Sequence, residues 1–380
     1  YLHDPRPAYR SPMWILTRWD DCKFVQTQPE LFTSRMGNQL DNELMNPERL
    51  PNDPRFGATA FGSDDPPASA RLRQLFTAAL TNRSLTRLEE PLREFVRGLI
   101  EHIEPESVAN LVEDFAKPIP LFVMRRLLGI DVGMDEVLHR WTMAIVKGAD
   151  LSYSDHSNTQ YTAMTEMFDF FEAELDDRRR RPREDMISAI VQTEVHGDKL
   201  TPAEQLMCCW FLLAAGNHTV QSMIALGVVA LLERPEQMAR LRADQTLVPS
   251  AVEEMLRWTT PGLYQRRTAV RDFDMRGSRL RAGDTLYLST PARNRDPEIF
   301  SNPDVFDITR HPNPHMSFSW GPHLCLGAHL SRLEGRIALE GLLRVPRLEL
   351  AGKVQRFRSM YVNAAEEVPV LFSNRAHAHG

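Results

Sequence analysis

The most informative motif in this 380-residue chain is FSWGPHLCLG, residues 318 to 327. Its glycine and proline residues keep the backbone irregular, whereas residues 328 to 343 have the apolar period of a helix. Cys325 therefore lies just before a helix N-terminus, where free backbone N–H groups and the helix dipole favour a thiolate. Gly321 and Gly327 would let a flat ligand approach the backbone closely. A packed thiol is the alternative, but the spacing Phe-x-x-Gly-x-x-x-Cys-x-Gly favours a ligand.

A long buried helix is predicted upstream of this loop. Residues 201 to 204, Thr-Pro-Ala-Glu, form a capping box with proline at the first helical position. Helical character continues to about residue 232, a length of roughly 45 Å at 1.5 Å per residue. Because the segment is apolar almost all round, we expect it to be buried and to cross the domain.

The middle of this helix carries Ala215, Gly216, Asn217, His218 and Thr219. A glycine followed by three polar residues destabilises a buried helix unless the polar groups have partners. Two interpretations stay open, a kink satisfied by water and a ligand pocket against the helix. We favour the pocket, because departures from local rules tend to mark functional sites.

Taken together, these motifs resemble the cytochrome P450 family of the soluble bacterial type. The 318–327 loop is similar to the family's cysteine-ligand loop, and residues 215–219 to its oxygen-binding groove. Glu254 and Arg257 resemble its Glu-x-x-Arg pair, with Arg310 as the third partner; alone, such a pair is usually a surface contact. The resemblance implies a mainly α fold with small β-sheets, in which haem lies between the long central helix and the cysteine loop.

The resemblance also implies haem b as the cofactor, with Cys325 as the ligand of its iron. Arg73, Arg267 and His315 match positions that hold the haem propionates, which need paired charge when buried. The other residues implied to border the cofactor are Ala215, Gly216, Phe318, Gly321 and Gly327.

The chain departs from the family's usual pattern at three places. Ser69 replaces a histidine, which predicts a weaker propionate contact, and Ser319 with Trp320 replaces Gly-His, which predicts more bulk beneath the haem. His218 stands where an acid normally precedes the groove threonine. Thr219 and His218 are the candidate catalytic residues, since Thr219 can hold a hydrogen bond and His218, with a reference pKa of ~6.5, can relay protons. An equally open alternative is that His218 only bonds within a buried network.

Composition sets broader limits. With 42% hydrophobic and 25% charged residues the chain is an ordinary globular protein, and the lack of repeats or linkers predicts one domain over 1–380. The net charge of -6 argues against nucleic-acid binding. Residues 1–10 are polar, and the longest apolar stretch, 207–216, is too short to span a bilayer, so we expect a cytoplasmic protein with no membrane anchor. Four cysteines without metal or disulfide spacing fit a reducing compartment.

The implied reaction is monooxygenation of a small, mostly apolar organic substrate by O2. Because the chain has no flavin or iron–sulfur domain, we expect electrons from a ferredoxin and its reductase, with Arg71, Arg332 and Arg336 as candidate docking cations. The expected pocket wall is apolar. It comprises Phe56, Phe61, Ala215, Thr219, Thr260, Leu263, Met360 and Tyr361.

Two alternatives stay open. One is a nitric oxide reductase-like or peroxide-using enzyme of the same family. The former needs a cationic channel, for which residues 51–65 offer only Arg55. The other is a non-enzymatic haem-binding recruitment or sensor module, against which the intact Thr219 argues.

Overall fold

Helices dominate the chain. The computed structural model describes residues 13–37, 55, 64–79, 82–147 and 156–373, with the backbone alone at 78–79, 82–86 and 156–160. The helices are α1 (Trp19–Thr27), α2 (Ala68–Ala79), α3 (Asn82–His102), α4 (Pro118–Leu128), α5 (Asp135–Lys147), α6 (His156–Arg180), α7 (Met186–Gln192), α8 (Pro202–Gly216), α9 (His218–Leu232), α10 (Pro235–Ala243), α11 (Val248–Thr259), α12 (Thr290–Arg293) and α13 (Ala328–Leu342).

The sheets are small. Strands β1, β9, β6 and β2 form one sheet in that order, with β1 and β9 parallel, and β10, β13 and β3 form another. Tyr264–Ala269 and Thr285–Ser289 confirm the predicted β-rich zone after Arg267. The strands are β1 (Met13–Leu16), β2 (Phe32–Thr33), β3 (Ser107–Asn110), β4 (Glu194–Val195), β5 (Asp198–Lys199), β6 (Tyr264–Ala269), β7 (Phe273–Met275), β8 (Ser278–Leu280), β9 (Thr285–Ser289), β10 (Arg347–Leu350), β11 (Gln355–Arg356), β12 (Ala365–Glu367) and β13 (Pro369–Ser373).

The predicted central helix is present as α8 and α9, which follow each other with a break at Asn217. The capping box forms as expected: Glu204 N donates to Thr201 Oγ1 at 3.3 Å, and Thr201 N donates to Glu204 Oε2 at 2.8 Å. Residues 202–232 have the length and composition of a membrane span, yet 72% of the most apolar window is buried inside the fold. The core helix of a soluble protein has the same properties.

A fully buried ionic network fixes the chain before the cysteine loop. Arg257 donates two hydrogen bonds of 2.8 Å to Glu254, and neither side chain is exposed. Arg310 lies 3.2 Å from the same carboxylate. Arg257 also donates to the carbonyl of Asn294, whose side chain accepts from Met316 N. The pair is therefore part of the scaffold and not a surface contact.

Candidate active site

A cavity lies between the α8–α9 break and the 318–327 loop. Its wall includes eight residues that the sequence predicted for the cofactor or the chemistry. These are Arg73, Ala215, Gly216, Thr219, Arg267, Phe318, Cys325 and Gly327.

The upper wall of the cavity is the break in the central helix. Asn217 Nδ2 donates to the carbonyl of Leu213 at 2.8 Å, and Thr219 Oγ1 donates to the carbonyl of Ala215 at 3.1 Å. Each side chain thus bonds a carbonyl one turn back, a pattern that loosens and bends helices. Asn217 Oδ1 is buried and has no partner among the described residues. The polar residues in this apolar helix therefore open a groove beside the cavity.

The opposite wall carries Cys325. Cys325 N donates to the carbonyl of Phe318 at 2.9 Å, which closes the loop just before α13. Cys325 is accessible through the cavity, whereas Cys22, Cys208 and Cys209 are buried. Of the four cysteines, Cys325 is therefore the one whose sulfur a ligand in the cavity could reach.

Burial raises the pKa of the Cys325 thiol above its ordinary value, although the Gly327 backbone N–H and the charges of Arg73 and Arg332 act in the opposite sense. The backbone N–H of Gly327 thus favours the thiolate, as the sequence predicted, but burial opposes it. Desolvation is the largest of these contributions, and the charge of a bound metal ion would favour the thiolate further.

Three basic side chains meet at one end of the cavity: Arg73, Arg267 and His323. Arg267 is 2% exposed, and its Nη2 has no partner among the described residues. Arg73 Nη1 donates to the carbonyl of Leu324 at 2.6 Å. His323 Nε2 lies 3.1 Å from Ser34 Oγ.

Electrostatics show how close these groups are. Burial lowers the pKa of Arg267 to about 10. Burial also lowers the pKa of His323 to about 4, and the charges of Arg267 and Arg73 add to that effect against the charge of Asp65. Asp65 itself accepts hydrogen bonds from Thr33 and Ser34. This cluster of basic groups is therefore suited to a buried anion.

Comparison with known proteins is consistent with this geometry. A family model described as Cytochrome P450 matches residues 149–361, more than half of the chain. The chain belongs to the cytochrome P450 family. It is 38% identical over 375 residues to the biotin biosynthesis cytochrome P450 of Bacillus subtilis (strain 168), covering 98% of this chain and 87% of that protein. It is 33% identical over 367 residues to the polyketide biosynthesis cytochrome P450 PksS of the same organism, covering 95% and 89%.

A solved structure of P450BioI in complex with hexadec-9Z-enoic acid ligated acyl carrier protein has the same fold, with a TM-score of 0.86 and 32% identity. The alignment covers 96% of this chain and 94% of that one. The predicted fold class, the monooxygenase function and the haem b cofactor are thus confirmed. As a P450, the chain is an oxidoreductase that uses a substrate, O2 and a redox partner.

The cavity fits the haem of the family. Arg267 lines the cavity, and its Nη2 is a buried polar atom without a partner in the described residues, which is costly unless a ligand completes it. A side chain at Gly327 would extend toward Cys325, since its Cβ would come 3.9 Å from Cys325 Sγ. The glycine keeps the space over the sulfur open for a flat ring.

The structure corrects the assignment of His315. Its Nε2 lies 3.1 Å from Glu253 Oε2, and it lines a second cavity that also reaches Cys325 and not the cavity that contains Arg267. Burial would raise the pKa of Glu253, but hydrogen bonds from His315 and Arg332 outweigh it and bring that pKa to about 2. His323 takes the expected place beside Arg73 and Arg267. Its position two residues before Cys325, on the cavity side of a tight turn, was the signal that could have identified it.

His218 does not reach the cavity. Its ring is 5% exposed and lies 6.1 Å from the ring of His139. Burial is the largest cause that lowers the pKa of His218 to about 3, the charges of His139 and Lys117 lower it further, and a hydrogen bond with the Thr142 backbone opposes them. Neighbouring residues in a helix point about 100° apart, so only one of His218 and Thr219 can face the groove. Of the two interpretations, the position favours a structural one.

Gly321 has a different role from the one predicted. Its φ is +67°, and a Cβ there would come 2.8 Å from the carbonyl oxygen of Gln26. The glycine is required for the close approach of α1, and it does not line the cavity.

The two bulky replacements also face α1. Ser319 has a φ of +66° and accepts a hydrogen bond from Gln26 Nε2 at 3.0 Å. The ring of Trp320 packs edge-on against Trp19, with centroids 5.5 Å apart. The added bulk thus extends the packing between the loop and α1 instead of lying only beneath the haem.

The three candidate docking arginines are engaged in ion pairs. Arg71 binds Asp198 and Glu204. Arg332 binds Glu253, and Arg336 binds Glu89 and Glu340. Because their charges are matched within the chain, they are weaker docking cations than predicted.

The predicted pocket wall is partly reproduced. Ala215, Thr219 and Tyr361 line the cavity, whereas Thr260, Leu263 and Met360 do not. Phe56 and Phe61 lie outside the described residues. Phe211, Leu212 and Pro261 are apolar wall residues that the sequence did not indicate, because nothing in their local pattern separates them from core residues.

Proposed function

We propose that Cys325 is the thiolate ligand of the haem iron and that Arg73, Arg267 and His323 hold the propionates. The observation that carries this proposal is one cavity with an accessible cysteine on one wall and a buried cluster of basic groups at its end. Hydrogen bonds between such groups and an anion are among the stronger ones in proteins.

The haem supplies the oxidative chemistry, since a thiolate ligand favours cleavage of the O–O bond. The chain positions the reactants around it. The Thr219 hydroxyl hydrogen is directed to the Ala215 carbonyl, so lone pairs of Oγ1 remain to accept a hydrogen bond in the groove. Phe211, Leu212 and Tyr361 form an apolar wall that limits water beside the reacting groups.

The wall composition supports a small, mostly apolar organic substrate. A second candidate is an acyl chain carried by an acyl carrier protein, because P450BioI, 32% identical to this chain, was solved with such a molecule. Titration of the holoprotein with free hexadecenoic acid and with the same acid on a carrier protein distinguishes the two. A shift of the haem to high spin with the carrier-bound acid alone supports the second candidate.

We further propose that electrons come from a ferredoxin and its reductase, and that the protein works in the cytoplasm as a single domain over 1–380. A second cavity reaches Cys325 without touching α8 or α9, and Arg73, Trp320 and His329 are among the residues that line it. No carboxylate lines it in the described chain, which suits an acidic donor. One hydrophobic core extends from Leu72 to Phe372.

The nitric oxide reductase-like alternative is less well supported. It needs free cationic charge near the substrate side, and the candidate Arg55 is 2.7 Å from Asp169 and 3.4 Å from Glu172. Consumption of NADH with nitric oxide in the absence of a ferredoxin would favour that alternative.

The ligand assignment is tested by the spectrum of the reduced, CO-bound protein. We expect the red-shifted Soret band of a thiolate-ligated haem, its loss in Cys325→Ser, and its retention in Cys208→Ala, which changes a buried cysteine away from the cavity. A wild-type spectrum typical of histidine ligation would overturn the proposal. Product formation that needs NADH, ferredoxin and reductase together tests the partner.

A further inference from the structure

Arg293 is a buried cation that no carboxylate neutralises. Three arginine side chains are fully buried in the described chain, those of Arg178, Arg257 and Arg293. Arg178 lies 2.7 Å from Asp185, and Arg257 lies 2.8 Å from Glu254. Arg293 forms no ion pair within the same part of the chain, and its Nε and Nη1 atoms have no hydrogen-bond partner there. A buried guanidinium without an anion is costly, so we looked for the negative charge that completes it.

The protein itself supplies no negative charge beside Arg293. Burial lowers the pKa of Arg293, and the Cys22 thiol acts in the opposite sense. Burial also raises the pKa of Cys22 to about 11, so this thiol is neutral at pH 7. A guanidinium stays protonated in proteins. Arg293 is therefore a buried cation with only neutral neighbours in the described chain.

Gln265 links Arg293 to the cavity. Arg293 Nη2 donates to Gln265 Oε1, and also to Thr290 Oγ1 and the Met316 carbonyl, each of these two at 3.1 Å. Gln26 Nε2 donates to the same Gln265 oxygen at 3.1 Å. Because a guanidinium has donors only, the Gln265 atom that faces it is the amide oxygen. The orientation of the Gln265 amide is thus fixed, and its Nε2 has no partner among the described residues.

Gln265 and Arg267 face the same end of the cavity. They are two residues apart in β6, so their side chains lie on one face of the strand, and both line the cavity. Burial is the main cause that lowers the pKa of Arg267, the charge of Asp65 opposes it, and the charge of Arg293 lowers it further. Two buried cations therefore repel each other here, and an anion in the cavity would relieve both.

We propose that Arg293 is a positioning residue of the haem site, which holds the Gln265 amide so that its N–H groups donate to a haem carboxylate and which adds a second buried charge behind Arg267. The inference rests on the proposed haem site. Gln265 is then a neutral donor beside the basic cluster of Arg73, Arg267 and His323. Arg293 does not line the cavity, so it acts through Gln265 and through its charge.

The first test compares two ligands that differ in the charge of their carboxyl groups. Apoprotein is titrated with haem and with haem dimethyl ester, for wild type and for Arg293→Met. We expect Arg293→Met to weaken haem binding about tenfold, the scale of one charge-assisted hydrogen bond, and to change the affinity for the ester much less. General damage to packing would instead weaken the binding of both ligands equally.

Arg295→Met is the matched control for this titration. Arg295 is two residues further along the chain, its guanidinium lies 4.7 Å from the centre of the Trp258 ring, and it lines neither of the two cavities. We expect Arg295→Met to bind haem and the ester as wild type does.

The second test asks whether Arg293 acts through Gln265. Gln265→Leu removes the amide donor, and we expect it to weaken the binding of haem more than that of the ester. In the Arg293→Met background the same substitution should have a smaller effect, because the amide is no longer held toward the carboxylate. If Arg293 only fills space in the core, the effects of the two substitutions should add.

An unchanged preference for haem over the ester in Arg293→Met would overturn the proposal, and so would additive effects of the two substitutions. If Arg293→Met gives no folded apoprotein, Arg293→Gln makes the same comparison, since it removes the charge and keeps a hydrogen-bond donor. If neither variant folds, Arg293 is structural and the proposal fails. A wild-type protein that binds haem and the ester equally would instead refute the haem site itself, so the two failures are distinguishable.

Discussion

Four arginines near the cysteine loop form two pairs, and the pairs differ in the source of their negative partner. Arg257 and Arg310 share the Glu254 carboxylate, and their remaining N–H groups reach backbone carbonyls. Arg267 and Arg73 make hydrogen bonds to backbone carbonyls only, and Arg267 Nη2 is left without a partner among the described residues. The first group is complete in the protein, and the second is not.

This difference separates scaffold from site. A buried charge is tolerated when it is paired and hydrogen-bonded, so the Glu254 network stabilises the fold with or without ligand. Arg267 is buried without a carboxylate, so it destabilises the empty protein until an anion binds beside it. The haem propionates are that anion in our account.

The largest expected effect is the loss of Glu254. Glu254→Ala leaves Arg257 buried and unpaired, and we expect it to lower the free energy of unfolding by about 3–5 kcal/mol with or without haem. Denaturant unfolding of both forms measures it. Glu298→Ala is the control, because its pair with Arg18 is exposed on both sides and should contribute little. If both substitutions lower the free energy of unfolding by the same small amount, the Glu254 network contributes no more to stability than an exposed ion pair.

His218 is a buried ionisable group that has neither a carboxylate partner nor an expected anion, and it is neutral in the folded protein at pH 7. The pKa of His218 is about 3 in the folded protein and ~6.5 in the unfolded chain. Below pH 6.5 the unfolded chain therefore binds a proton that the folded protein does not. The free energy of unfolding is highest above pH 6.5 and decreases as the pH falls toward 3. Between pH 6.5 and 5 the loss is roughly 2 kcal/mol. We expect unfolding of His218→Asn to depend less on pH in this range, while product per NADH stays as in wild type. If His218→Asn instead forms much less product per NADH than wild type, the result would support the interpretation that His218 relays protons.

A smaller effect distinguishes His323 from His315. We expect His323→Ala to weaken haem binding about tenfold, equivalent to roughly 1.4 kcal/mol, because a propionate partner is lost. His315→Ala should leave haem affinity nearly unchanged, since His315 binds Glu253. Haem transfer to apomyoglobin measures both. A larger loss of haem affinity in His315→Ala than in His323→Ala would indicate that His315 binds the propionate.

Local patterns predicted most of the fold and half of the site. The capping box at Thr201 and the Glu254–Arg257 spacing are short-range signals, and the structure forms both contacts. The local sequence patterns could not predict the direction in which individual side chains point. His218 and Thr219 are neighbours that point to different sides of α9, and Gly321 faces α1 because of a positive φ that no spacing reveals.

The central claim is that the Arg73–Arg267–His323 cluster is completed by the carboxylates of haem. The most direct test is to titrate the apoprotein with haem and with haem dimethyl ester, whose propionates carry no charge, for wild type and Arg267→Met. We predict that wild type binds the ester at least about tenfold more weakly than haem, as expected for the loss of a charge-assisted hydrogen bond. In Arg267→Met, the difference between the affinities for haem and for the ester should be smaller than in wild type. Equal affinity of wild type for haem and ester would contradict the account.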